Sequence, residues 1–289
     1  MEQLKLFIKL TRLKKPIGYM LLFWPCAWGL TIAFDFSANK QIYIFYSVLF
    51  LTGSILMRSA GCIVNDIVDK KFDKKVFRTK NRPIASEKVS INRGAIYAMI
   101  LCILAFFILI QFNNLTIFLA LLSMPLAFFY PYMKRYTYWP QLFLGITFNY
   151  GLILGWTSLK GDIGLTPIIL YFGAIFWTLG YDTIYGYQDI KDDEIIGLKS
   201  TSIKFKNNPK IFLTISYSVF ITSLILLGLI LNFNYIYYLL LIIPIMQLLF
   251  FQIFPFDKDN PIICLKIFKS NNLFGFIILI NLMIGGLNL

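Results

Sequence analysis

Two short stretches carry most of the chain's chemistry. In "NDIVDKKFD" (65–73), Asn65, Asp69 and Asp73 stand at i, i+4 and i+8, with Asp66 three residues before Asp69. In "DTIYGYQDIKDD" (182–193), Asp182, Tyr185, Asp189 and Asp193 stand at i, i+3, i+7 and i+11. At 3.6 residues per turn, each set falls on one helical stripe. Oxygen ligands in a chain with no histidine suit a hard cation, Mg²⁺ above all. Just after the first stretch, "FRTKNRP" (77–83) supplies Arg78, Lys80 and Arg82. The arginine forks match phosphate oxygens, and the lysine adds a compact charge. Carboxylates, Mg²⁺ and this basic loop would together hold a diphosphate, because Mg²⁺ commonly binds through substrate phosphates.

The elements that position these groups are apolar helices. The chain has 289 residues, 58% of them hydrophobic and only 14% charged, against about 25% charged in a soluble domain. Its mean hydropathy is +0.71. Apolar runs of about twenty residues, enough to cross a hydrocarbon core, recur at 17–35, 42–64, 94–112, 115–133, 138–158, 165–188, 210–231, 234–254 and 271–288. The spacing therefore predicts an all-α polytopic membrane protein with nine spans, forming a single domain over residues 1–289. The first span shows no small-residue cleavage site and reads as a retained helix.

The loops assign the sides. With the N-terminus inside, the inner segments carry 24 of the 27 Lys and Arg, and the outer loops only Lys40 and Lys160. That is the positive-inside pattern. It places the N-terminus and both acidic stretches on the cytoplasmic side, beside anionic lipid. It also accounts for the net charge of +13 with no nucleic-acid partner.

Eight of the fourteen acidic residues fall in the two windows or, as Glu194, directly after the second, at the ends of the second and sixth spans. Both ends face the same side. A lone carboxylate at bilayer depth costs about 2.5–3.5 kcal/mol, and like charges a turn apart repel. Cations between the stripes would offset that cost. Asp182 has no basic residue within eight positions, so a solvated local ion pair does not explain it. Asp192 and Glu194, beside Lys191, read equally well as an ordinary solvated helix end. Arg58 lies within a span, two turns before the first stripe, and calls for an acidic partner, either Asp66 or a carboxylate of the second stripe, unless it meets substrate. The pattern "GLILG" (151–155) reads as close helix packing. The four cysteines stand singly, without metal-ligand spacing, and the absence of histidine excludes histidine metal sites and Ser-His-Asp triads.

The two acidic windows resemble the aspartate-rich motifs of the UbiA superfamily of intramembrane prenyltransferases. The first fits N-D-x-x-D-x-x-x-D as Asn65, Asp66, Asp69 and Asp73; the second fits D-x-x-Y-x-x-x-D as Asp182, Tyr185 and Asp189, followed by Asp193. "RLKKPIGYMLLFWP", "RSAGCIVND", "RTKNRPIAS", "YPYMKRYTYWPQ" and "IGLKSTSIKF" are similar to the branch that prenylates 4-hydroxybenzoate in ubiquinone biosynthesis. The likeness spans about residues 10–206, and Tyr138–Trp139 depart from it where His-Leu would be expected.

The resemblance implies nine helices around a central cavity, capped by the two charged loops. It implies Mg²⁺ dependence, a polyprenyl diphosphate donor and 4-hydroxybenzoate as acceptor, in an inner membrane. It further implies that Asn65, Asp69, Asp73, Asp182 and Asp189 hold Mg²⁺, with Asp66 and Asp193 in support, and that Arg78, Lys80 and Arg82 hold the diphosphate. Tyr185 would brace the allylic cation or orient an aspartate, and Asp182 or Asp189 would take the proton. Arg135 would anchor the acceptor carboxylate, with Arg58 as a further candidate. Same-fold enzymes with other acceptors, such as homogentisate or a naphthoate, remain alternatives. A CDP-alcohol phosphotransferase lacks support, since no D-G-x-x-A-R run is present. A cation transporter is disfavoured because its carboxylates would lie near the midplane in broken helices.

Overall fold

The computed structural model describes residues 2–37 and 39–287. Among them every regular element is helical. In chain order these are α1 (Glu2–Thr11), α2 (Ile17–Ala33), α3 (Lys40–Val68), α4 (Lys70–Asp73), α5 (Ile91–Leu109), α6 (Asn114–Tyr136), α7 (Pro140–Lys160), α8 (Leu165–Gly186), α9 (Ile190–Ile195), α10 (Thr201–Lys204), α11 (Pro209–Ile230), α12 (Tyr235–Ile253) and α13 (Pro261–Gly285). Eight are long and apolar enough to cross a membrane, and the shorter apolar α2 corresponds to the first expected span. Asparagine and serine side chains start several of them: Asn39, Ser90, Asn113, Asn234 and Asn260 each accept a backbone N–H of the first turn.

Close packing follows from small residues. A Cβ at Gly155 would run into the α2 backbone at Cys26 and Leu30, and one at Gly29 into Leu152. The "GLILG" segment of α7 thus lies directly against α2, as its spacing suggests. An aromatic core of Trp28, Trp177, Phe220 and Phe274 then ties α2, α8, α11 and α13 together, with Trp28 and Trp177 rings 5.1 Å apart. Elsewhere the helices keep apolar side chains outward, among them Phe107, Phe118, Leu122 and Phe129 on α5 and α6, the surface that lipid covers.

Three features depart from the sequence expectation. The last helix starts at Pro261, ten residues before the expected 271, because Asn260 caps it and Pro261 suits its first turn. Residues 2–11 form a helix rather than a loop, burying Leu6, Phe7 and Leu10 against α3 and α5. Finally, neither acidic stripe is one continuous helix. The backbone breaks at Asp69 (φ −92°, ψ 3°) and again at Asp189 (φ −119°, ψ 6°). At the first break Arg135 Nη2 donates to the Val68 carbonyl at 2.9 Å, and at the second Gln188 Nε2 donates to the Tyr185 carbonyl at 3.0 Å. Side chains thereby satisfy end carbonyls that a continuing helix would have used.

Candidate active site

The ends of α3 and α8, α4, α9, the loop 74–88 and the last turn of α6 meet at one end of the bundle. The first acidic stretch is deeply buried: Asp66, Asp69 and Asp73 are 2%, 1% and 6% exposed. Burial of three carboxylates requires cations, and the fold supplies them from distant segments. Asp66 Oδ1 accepts from Arg12 Nη2 at 2.6 Å and from Arg82 Nη1 at 3.2 Å. Arg82 Nη1 also donates to Asp73 Oδ2 at 2.8 Å. Lys134 Nζ donates to Asp69 Oδ2, and Arg135 Nη2 lies 3.7 Å from Asp69 Oδ1. Burial pushes the Asp69 carboxyl above its ordinary range, against the pull of Lys134.

The second stretch is joined to the basic loop by Arg78. Its Nε donates to both Asp189 oxygens at 2.8 and 3.0 Å, its Nη2 to Asp189 Oδ2, and its Nη1 to the Tyr185 hydroxyl at 3.0 Å. Burial works against the Arg78 charge, but the bonds to Asp189 and Tyr185 outweigh it and hold its pKa above the ordinary value. The Phe77 amide adds a 3.0 Å bond to Asp192. Asp193 faces the same cluster; burial and then the neighbouring Asp189 charge push its carboxyl up to about 6. A group pressed by its neighbours in this way marks a site that gains from an added cation.

Deeper among the helices lie Asp182 and Arg58. Asp182 makes no hydrogen bond or ion pair among the described residues, and the charge that acts on it is Arg58. Arg58 packs over the Phe148 ring at 5.2 Å and close to Tyr130 and Cys62, and its buried Nε has no hydrogen-bond partner. Arg58 does not pair with Asp66, whose Oδ1 is shared by Arg12 and Arg82. Asp182 keeps some accessible surface although Tyr181, Thr183 and Ile184 around it are buried. Two cavities of about 390 and 440 Å³ lie away from the site, one beside Phe34, Phe233 and Gly286 and the other beside Asn208 and Phe256.

The expected site residues thus separate into three groups. Asp66, Asp69, Asp73, Asp189 and Asp193, with Arg78, Arg82 and Tyr185, converge on one charged cluster. Asp182 and Arg58 lie together one layer deeper. Lys80 stays on the surface over the Phe77 ring at 4.5 Å, and Asn65 is half-buried, its carbonyl accepting the Asp69 amide at 2.9 Å. Arg135 is held between the Phe72 and Tyr132 rings while it caps α3. Sequence reasoning overlooked Arg12 and Lys134. Arg12 opens the "RLKKPIG" segment and Lys134 precedes Arg135, but neither lies near its aspartate in the chain.

The donor set suits Mg²⁺. Every candidate ligand is a hard oxygen, Asp69 Oδ1 is buried without a hydrogen bond, and Asp182 has no cation bonded to it. Among the described residues, however, no three acidic groups lie close enough together to ligate an ion. Arginine and lysine neutralise them instead, so metal binding requires these cations to exchange partners.

The chain matches the model of the UbiA prenyltransferase family over residues 22–278. It is 41% identical over 289 residues to 4-hydroxybenzoate geranyltransferase 2 of Lithospermum erythrorhizon, covering 99% of this chain and 92% of that one. To the mitochondrial 4-hydroxybenzoate polyprenyltransferase of Bos taurus it is 41% identical over 282 residues, covering 97% and 75%. A solved UbiA homologue from Archaeoglobus fulgidus, bound to GPP and Mg²⁺, superposes with a TM-score of 0.69 at 15% identity, covering 94% of this chain and 98% of that one. At that identity the structural likeness concerns the fold alone.

Proposed function

We propose the following activity for this chain, which belongs to the UbiA prenyltransferase family: it transfers a polyprenyl group from polyprenyl diphosphate to carbon 3 of 4-hydroxybenzoate, with Mg²⁺, in ubiquinone biosynthesis. Residues 1–289 act as one transmembrane domain. The protein sits in an inner membrane with its N-terminus and both acidic stretches on the cytoplasmic side. Anionic lipid lies against its basic face, and nucleic acid is not a partner. The relatives that act on 4-hydroxybenzoate support the acceptor, and the Mg²⁺- and GPP-bound homologue supports the donor and the metal. The observation that carries the reading is the Arg78 bridge: a phosphate-suited guanidinium, 111 residues away in sequence, lies on the Asp189–Tyr185 face.

Asn65, Asp69, Asp73, Asp182, Asp189 and Asp193 would hold the metal, directly or through water. Bound there, Mg²⁺ would supply positive charge against the departing diphosphate. Arg78 turns from Asp189 to the diphosphate oxygens, Arg82 offers them the N–H groups that it does not give to Asp66 and Asp73, and Lys80 closes over from the surface. These contacts strengthen as the carbon–oxygen bond breaks, so they favour the transition state over the ground state. The Tyr185 ring, tilted 44° against Phe268 with centroids 4.4 Å apart, stands beside the electron-poor allylic carbon. Carbon 3 of the phenol then attacks, and Asp182 or Asp189 takes its proton.

For the acceptor carboxylate Arg58 is the better candidate than Arg135. Each has a buried Nε without a partner, but Arg58 makes no side-chain hydrogen bond or ion pair among the described residues, whereas Arg135 is already committed to Val68 and Asp69. The test is a reconstituted assay with Mg²⁺, 4-hydroxybenzoate, homogentisate or a naphthoate as acceptor, and a polyprenyl diphosphate donor, with the product located by mass spectrometry and NMR. Prenylation at carbon 3 of 4-hydroxybenzoate is expected. Transfer only to another acceptor would sink the acceptor assignment, and no transfer to any acceptor would sink the activity.

A further inference from the structure

Arg12 has no part in the reaction proposed above, yet its guanidinium is inside the site. It follows α1, whose Leu6, Phe7 and Leu10 are packed on α3 and α5. Its backbone adopts φ 56°, a left-handed conformation unfavourable for a side chain with a Cβ. Glycine would fit that turn better, so the turn itself does not account for an arginine there.

That guanidinium meets Asp66 at 2.6 Å, and the same Asp66 oxygen receives Arg82 at 3.2 Å. Arg82 in turn donates to Asp73 at 2.8 Å. The order is therefore Arg12, Asp66, Arg82, Asp73, alternating in sign and largely buried. Lys9 Nζ adds a 3.1 Å bond to the Asn81 carbonyl, next to Arg82. Were Arg12 absent, Asp66 would hold an uncompensated share of charge, and Arg82 would be drawn to it and away from Asp73. Asp66 is 2% exposed and meets both guanidiniums through one oxygen, Oδ1, so its charge is already shared between two arginines.

We propose that Arg12 is a positioning residue: by sharing Asp66 it fixes Arg82 between Asp66 and Asp73, and Asp66 serves as the anchor of this relay rather than as a metal ligand. The surface helix α1 thereby becomes part of the diphosphate site. This rests on the diphosphate role given to Arg82 above.

Two readouts on the purified full chain test it. The first, hydrogen exchange of residues 79–88 without substrate or metal, depends on no assumed activity. Arg12→Gln and Asp66→Asn should each remove protection there, and Arg12→Lys should retain part of it. The second is kcat/KM for the polyprenyl diphosphate. Arg12→Gln should lower it on the order of 10- to 100-fold, as loss of an outer partner does, with KM for 4-hydroxybenzoate unchanged. The double variant should fall no lower than the worse single one, because both changes break one relay. Arg93→Gln, which removes a 3.3 Å contact between α5 and Gln3 of α1, should leave both readouts at wild-type values.

Unchanged exchange in Arg12→Gln, or losses that add in the double variant, would overturn the proposal; the latter would mean that Arg12 touches substrate itself. Equal effects from Arg93→Gln would also overturn it, assigning the effect to helix docking. If wild-type protein transfers no prenyl group, the proposed activity fails, while the exchange result still decides whether Arg12 fixes the Arg82 loop.

Discussion

Replacing Arg78 by alanine separates a structural strut from a catalytic group. In the resting protein Arg78 makes a forked contact with Asp189 and one bond to Tyr185. Its side chain is 37% exposed, so solvent screens the pair. Such a pair contributes on the order of 1 kcal/mol to stability, and the thermal midpoint should fall only about 2 °C for a chain of this size. Catalysis should lose far more. If Arg78 moves onto the leaving diphosphate, its charge-assisted bonds strengthen with the charge that develops there. Removing one such preorganised donor costs on the order of 10²–10³ in kcat. Arg78→Lys should fall between wild type and alanine, since it keeps the charge and loses the fork. Single-turnover transfer to labelled 4-hydroxybenzoate, run beside thermal denaturation in detergent, reads both quantities. A kcat within a few-fold of wild type together with a large drop in midpoint would refute the reasoning and leave Arg78 as a strut.

Other changes should behave as follows. Arg58→Met should raise KM for 4-hydroxybenzoate about 10- to 150-fold, the equivalent of about 1.5–3 kcal/mol for a charged hydrogen bond, without lowering the thermal midpoint; an unchanged KM would remove Arg58 as the anchor. Arg135→Met should instead destabilise the fold by on the order of 1–3 kcal/mol, because it uncaps the Val68 carbonyl, and a rise in KM alone would restore Arg135 as the anchor. Gly155→Val should cost about 1–3 kcal/mol or more, since α2 would have to move away from α7; an unchanged midpoint would contradict the close packing. Asn271→Ala should lower the midpoint by leaving the buried Trp177 indole N–H without its 2.9 Å acceptor, at a cost of about 1–3 kcal/mol. A neutral outcome would show that water replaces it.

Much of this was legible in the chain itself, for a physical reason. In a sequence with only 14% charged residues, carboxylates at the ends of apolar runs stand out, so both acidic stretches and the basic loop could be located. The apolar runs likewise located the crossing helices, and "GLILG" marked the tightest contact. The breaks at Asp69 and Asp189 were not legible, because the residues that end those helices include Arg135, 67 residues from the carbonyl it caps. Nor were the partners of the buried aspartates: Arg12 is 54 residues from Asp66, and Lys134 is 65 from Asp69. Helical spacing aligned the carboxylates on stripes, but tertiary contacts decided which cation meets each one. The start of α13 was hidden because Lys266 and Lys269 interrupt its apolar pattern, although both are exposed on its surface.

The central claim is that the two acidic stretches and the loop between them form a single Mg²⁺-dependent diphosphate site. Binding of a radiolabelled polyprenyl thiolodiphosphate, which is not turned over, tests it most directly in the wild type, Asp69→Asn and Asp189→Asn, with and without Mg²⁺. The account predicts tight binding only by the wild type with Mg²⁺, and comparable loss in both variants although they lie 120 residues apart. Full binding by either variant, or binding by the wild type that ignores Mg²⁺, would contradict it.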